Sequence, residues 1–253
     1  MEWDLLAALC GFAFLAGFID AAAGGGGLIQ VPALFVLMPG VAPATLLGSN
    51  KFASVWGTLA ATIQYSRHVP LDWRVTLPAG LTALVFAYLG AHAVAAVDPG
   101  VFRPLVLLML VAVLAYTLWK KDLGGLHAPK LEGAIQMLAA LATGAALGFY
   151  DGFFGPGTGS FLVFAFVGLF GFSFLAASAT AKWVNLITNL AALAFFASHG
   201  HVLYATAIPM AVFNVLGSLL GSRMAIRKGS GFVRTIFVLV VSALILRFGY
   251  DLL

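Results

Sequence analysis

The chain contains itself twice. Gly17-Phe18-Ile19-Asp20 returns as Gly148-Phe149-Tyr150-Asp151, 131 positions later, and the same ungapped offset pairs Gly24 with Gly155, Gly26 with Gly157 and Lys51 with Lys182. It continues through His68 and His199, Pro78 and Pro209, Gly90 and Gly221, Gly100 and Gly231, and Arg103 and Arg234. Matches among Gly, Ala and Leu are expected by chance in such a chain; matches of Asp, Lys, Pro and Arg at one constant offset are not. Whatever the first half folds into, the second half folds into again. The most polar stretch, residues 120–131, marks the joint and divides the chain into repeats at 1–119 and 132–253.

Each repeat breaks into five apolar segments. In the first they cover about 4–20, 25–39, 44–65, 75–96 and 101–119; in the second, about 133–149, 157–171, 175–197, 203–222 and 232–250. Hydrophobic residues make up 62% of the 253 positions and charged residues 9%, with a mean hydropathy of +1.05. A soluble domain has about 25% charged residues. The pattern therefore predicts an all-α polytopic membrane protein of roughly ten spans, and excludes a soluble enzyme, a disordered chain or a nucleic-acid binder. Glu2 and Asp4 stand where a signal peptide carries basic residues, so segment 5–19 is expected to be a retained membrane helix. Cys10 is the single cysteine, so no intrachain disulfide forms.

The net charge of +4 and pI near 9.4 are explained by topology once the cations are located. If every segment crosses, one side collects Arg67, Arg74, Lys120, Lys121, Lys130, Arg223, Arg227, Lys228 and Arg234, and the other holds Arg103 and Arg247. The positive-inside rule then places the linker in the cytoplasm and both termini outside. Treating the short second segments as re-entrant splits the cations almost evenly, so ten crossings are expected, although hairpins that cross only in part give the same loop sides. Five crossings per repeat is an odd number, which turns one repeat upside down relative to the other. Inverted repeats with interrupted helices are an architecture of secondary transporters.

The interruptions are Gly24-Gly25-Gly26-Gly27 and Gly155-Pro156-Gly157-Thr158-Gly159. Bare backbone is costly against lipid and tolerable around a cavity, where the helix that follows points N–H groups at an anion; close helix packing through small residues is the alternative. Lys51 and Lys182 lie inside apolar segments. A cation there is expected to neutralise an anionic substrate, or else to snorkel or pair with Asp20 or Asp151. The two aspartates are either proton-coupling carboxylates or N-caps of the short helices. Asn50, Asn185 and Asn189, with Ser49, Thr180 and Ser160, can donate to substrate oxygens or serve helix–helix hydrogen bonds, and Gln30 is similar. His199 and His201 fall at a loop and are expected to be solvated, without metal-ligand spacing. Trp3, Trp73, Trp119 and Tyr204 read as interfacial anchors. Enzyme signatures are absent: Gly171-Phe172-Ser173-Phe174 lacks the glycine that an intramembrane serine protease motif carries after its serine.

Gly17-Phe18-Ile19-Asp20-Ala21-Ala22-Ala23-Gly24-Gly25-Gly26-Gly27 with Gly48-Ser49-Asn50-Lys51, and their partners at 148–159 with Ala181-Lys182, resemble the TauE/SafE sulfite exporter family of bacterial transporters over essentially the whole chain. The resemblance implies transport of small sulfur-containing anions, such as sulfite or organosulfonates, across the plasma membrane. The expected site is Lys51 and Lys182 with Gly24, Gly25, Gly26, Gly155, Gly157, Gly159, Asn50, Asn185, Ser49 and Thr180, and with Asp20 and Asp151 for coupling or capping. The expected partners are the anion, a coupling proton, membrane lipid and a second copy of the chain; no cofactor, metal or nucleic acid is expected. An anion channel and a non-transporting membrane scaffold are the alternatives.

Overall fold

The computed structural model describes residues 3–97 and 128–228, with isolated positions between 100 and 111. The fifth segment of each repeat, at 101–119 and 232–250, lies essentially outside the described residues, as do most of the linker and Trp119. The described residues form helices without strands: α1 (Trp3–Ala23), α2 (Gly27–Leu37), α3 (Pro43–Ser66), α4 (Trp73–Ala95), α5 (Gly133–Phe153), α6 (Thr158–Gly168), α7 (Phe174–Ser198) and α8 (Tyr204–Lys228). The repeat is visible in the boundaries. α6, α7 and α8 begin 131 residues after α2, α3 and α4 begin. Local chemistry sets these starts: Pro43 opens α3, where its missing N–H costs nothing, Asp72 caps α4 by accepting from Arg74 N at 3.0 Å, and Ser173 caps α7.

Four of the long helices, α1, α4, α5 and α8, are apolar enough to cross a membrane on length and composition. α3 and α7, at 24 and 25 residues, are as long but carry buried polar faces, including Asn50, Lys51 and Thr58 on one and Lys182, Asn185 and Asn189 on the other. Buried polar faces belong in a bundle interior and not against lipid. The outward faces are apolar, with Leu77, Leu81, Leu138, Ile208 and Leu216 all at least half exposed.

The packing interleaves the two repeats. α1 runs alongside α8 in the same direction: Gly17 meets Asn214, and Phe18 meets Gly221. α3 joins that set, with Ser218 Oγ donating to the Gly57 carbonyl and Ser222 Oγ to Gln64 Oε1, both at 2.6 Å. The equivalent set is α5, α4 and α7. Gly144, Gly148 and Gly152 face Ala79, Ala83 and Ala87 in step, while Trp73 touches Trp183 and Tyr88 touches Phe195. Small residues at these contacts let backbones approach closely. Where the sets meet, α3 and α7 run in opposite directions: Asn189 bonds Lys51 and Thr58, and Thr62, further along α3, bonds the Lys182 carbonyl, earlier in α7.

The short helices correct one expectation. α2 and α6 have 11 residues each, about 16 Å of helix, or about half the hydrocarbon thickness. They do not cross in full. Each folds back along the helix before it. Gly26 lies against Ala16 and Asp20, and Gln30 reaches Ala13 through Asn214; in the other repeat Tyr150 packs on Phe161. The glycine runs allow the reversal and Pro39-Gly40 and Gly171 end the return, so the apolar run is shorter than its hydropathy suggests. A partial hairpin returns the chain to the same side as a double crossing does, so the loop sides are unchanged. Accordingly Arg67, Arg74, Lys130, Arg223 and Arg227 gather at one end of the bundle, beside the end of α3 and the start of α7. The opposite end, at residues 38–42 and 199–203, holds no Lys or Arg among the described residues. Trp3, Trp73 and Tyr204 stand exposed at helix starts.

Candidate functional site

The two hairpin tips meet inside the bundle. Ser160 N donates to the Gly24 carbonyl at 2.9 Å, and Ser160 Oγ to the Ala23 carbonyl at 2.8 Å. Gly24 has φ +82 and Gly159 packs on its backbone, so a Cβ on either would occupy the other's main chain. Here glycine is needed both for its left-handed backbone and for the approach. The N-terminal ends of α2 and α6 thereby open on a common polar cavity.

That cavity is lined by Asp20, Gly24, Gly26 and Gly27 from the first hairpin, Asp151, Gly155, Gly157 and Gly159 from the second, Asn50, Lys51, Ser54 and Thr58 from α3, Asn185 and Asn189 from α7, and Asn214 from α8. Its volume is about 20 Å³, room for about one water. Lys51 Nζ donates to Asp151 Oδ2 at 2.6 Å and to Asn189 Oδ1 at 2.9 Å. Lys182 Nζ donates to Asp20 Oδ2 at 2.7 Å and also to the Asp20 carbonyl. Each lysine therefore binds the aspartate of the other repeat. The two pairs cancel in charge and are buried, with Asp20 the more open at 16% against 2% for Asp151. A buried pair stands only while both members are hydrogen-bonded.

Several expected residues fall elsewhere. Lys182 is paired with Asp20 but does not line the cavity, and neither does Gly25. Ser49 Oγ donates to the Thr45 carbonyl and accepts from Leu203 N, away from the cavity. Thr180 lines a crevice at the basic end. Their sequence distance from the lysines fixed depth along the helix but not rotation about it. Capping by the aspartates is corrected too: α2 and α6 are headed by Gly26 and Gly157 without a side-chain cap, because both carboxylates are taken by lysines. His201 is not freely solvated but lies 3.3 Å from Thr45 Oγ1.

Ser54, Thr58 and Asn214 also line the cavity and are not among the residues expected there. For two of them the signal was available, since Ser54 and Thr58 stand 131 positions before Asn185 and Asn189. Asn214 had none; its equivalent is Ala83. Two amide groups keep an unused polar atom: Asn50 Oδ1, at the cavity, and Gln30 Nε2, outside its lining, are buried with no hydrogen-bond partner among the described residues. Asn50 faces the cavity, and rotation of its amide presents either an acceptor or a donor.

Comparison with known proteins agrees with a membrane protein. The family described as "Sulfite exporter TauE/SafE" matches residues 9–248. The chain is 36% identical over 247 residues to "Probable membrane transporter protein ORF9" of a Sinorhizobium species, covering 98% of this chain and 93% of the relative. It is 36% identical over 248 residues to a "Probable membrane transporter protein" of Haemophilus influenzae, covering 98% and 96%. The same identity over 250 residues relates it to "Probable membrane transporter protein YfcA" of Escherichia coli K12, covering 98% and 90%. No solved structure matches the chain. With matches that run nearly end to end, this multi-pass membrane protein belongs to the TauE/SafE sulfite exporter family.

Proposed function

We propose that the protein is a secondary transporter that exports small sulfur-containing anions, sulfite or an organosulfonate, across a bacterial inner membrane. The observation that carries this reading is the pair of reciprocal Lys–Asp bridges around a cavity of about 20 Å³, with two half-length helices starting at its wall. Helix N-termini and a lysine suit an oxyanion. As it stands the cavity is too small for sulfite and electrically balanced. An arriving anion must therefore take the place of a carboxylate on Lys51. A proton delivered to Asp151 would cancel its charge and release Lys51 to the anion.

Alternating access follows from two bodies in opposite orientation. Inversion of the repeats is supported by the opposite courses of α3 and α7. The bodies that move are the packed sets α1, α3, α8 and α4, α5, α7, each of which draws helices from both repeats. The gathering of five described cations at one end supports a cytoplasmic linker and external termini. The sulfur-anion substrate rests on the family's description and on the site's charge; the relatives' names say only membrane transporter.

The test is counterflow of labelled sulfite in proteoliposomes. Unlabelled sulfite or sulfoacetate on the far side should accelerate uptake of label. Uptake without such trans-stimulation would indicate a channel, and flux unchanged in the Lys51→Ala/Lys182→Ala double variant would remove the site.

A further inference from the structure

The two ends of the molecule are built from the same parts and are in different states. At the end opposite the cations, the loop between α7 and α8 is closed onto the start of α3. Leu203 N donates to Ser49 Oγ at 2.9 Å, His201 Nδ1 lies 3.3 Å from Thr45 Oγ1, and the His201 carbonyl sits where a Cβ on Gly48 would stand. The repeat offset carries Leu203 to Asp72, Ser49 to Thr180, His201 to Pro70 and Thr45 to Ala176. All four of those counterparts line a crevice of about 480 Å³ at the basic end, between the loop before α4 and the start of α7. One end is hydrogen-bonded shut; the equivalent place at the other is apart.

Repeats alike in sequence and unlike in conformation are what two alternating states require, since exchanging their conformations gives the opposite state. Resting on the transport reading above, we infer that Thr45, Ser49, His201 and Leu203 form the gate of the cation-free end, shut in this conformation. Pro70, Asp72, Ala176 and Thr180 form the gate of the basic end, open in it. Closing the basic end brings the Asp72 N–H toward Thr180 as the Leu203 N–H now meets Ser49. The gates differ in tightness. Gly48 has Ala179 as its counterpart, so a loop that approached the basic end as His201 approaches Gly48 would meet a methyl group. The basic-end loop is held further out, which favours the conformation observed. Ser49 and Thr180 are therefore gating residues and not anion ligands.

Cysteine pairs in a Cys10→Ser background read both gates by oxidative cross-linking in proteoliposomes. Thr45→Cys/His201→Cys should cross-link without substrate and abolish exchange until reductant is added, while Pro70→Cys/Ala176→Cys should cross-link slowly. Gly48→Ala drives a methyl into the His201 carbonyl and should reverse the order of the two rates. Ser49→Ala removes the acceptor of the Leu203 N–H and should slow Thr45–His201 cross-linking about fivefold; it decides the matter if Gly48→Ala does not fold. Equal rates for the two pairs in the otherwise unchanged chain, or a ratio indifferent to both variants, would overturn the assignment. Sulfite counterflow is scored separately. Gated cross-linking without sulfite exchange removes the substrate reading and keeps the gates, whereas exchange with equal cross-linking rates keeps transport and removes the gates.

Discussion

Lys51 with Asp151 and Lys182 with Asp20 are copies of one another in sequence and differ in setting. Lys51 lines the cavity, holds Asn189 as a second partner, and faces a carboxylate that is 2% exposed. Lys182 stands behind the wall, and its carboxylate, 16% exposed, keeps some access to water. Amide placement follows the same asymmetry: Asn50, beside Lys51, has Ala181 as its counterpart beside Lys182. A pseudo-symmetric scaffold thus holds an asymmetric site: Lys51 faces the cavity, and Lys182 holds the first hairpin through Asp20.

The largest expected effect is that of Lys51→Ala. It strands a fully buried carboxylate and should cost about 3–5 kcal/mol, read by unfolding in detergent micelles, with loss of exchange. The neutral pair Lys51→Gln/Asp151→Asn should recover most of that stability and none of the transport. A double variant as unstable as the single would break the pairing argument. Lys182→Ala should cost less, about 2–3 kcal/mol, because Asp20 regains water, and should leave measurable exchange; equal losses from the two lysines would erase the distinction. Gly24→Ala places a methyl in the Gly159–Ser160 backbone at a left-handed φ of +82, for about 2 kcal/mol. It tests the hairpin contact without touching either ion pair. The smallest effect is expected of Asn50→Ala: stability lower by about 1 kcal/mol, and anion affinity, measured by thermal shift with sulfite, lower by about fivefold. Unchanged affinity would take Asn50 out of the site.

Much of this was legible in the residues. The offset linking Asp20 to Asp151 and Lys51 to Lys182 also spaces the starts of three helix pairs, because helix starts are set by local chemistry such as Pro43 and Ser173. Both lysines stood out because charge inside an apolar run has few explanations, with burial and snorkelling the two that the sequence left open. What stayed hidden depends on tertiary placement. Nothing near Asp20 says that its partner is the lysine 162 positions away rather than its own neighbour Lys51. Ser49 and Asn50 are adjacent, yet one faces Leu203 and the other the cavity, since neighbouring side chains on a helix point about 100° apart. Partial hairpins and full crossings both fitted the sequence, because hydropathy measures how apolar a stretch is and not where its backbone turns.

The interleaved packing has a consequence for biogenesis. Asn214 Nδ2 donates to the Ala13 carbonyl across 201 positions of chain, and α1 is seated on α8 along its length. A helix made early is thus completed by one made late. During synthesis its face of Ala13, Ala16 and Gly17 must wait in the bilayer, or under a chaperone, until the second repeat has been inserted. Long-range contacts of this kind slow folding. They also mean that a gene cut at the linker would yield two fragments that mature only when expressed together, despite each carrying a full set of repeat segments.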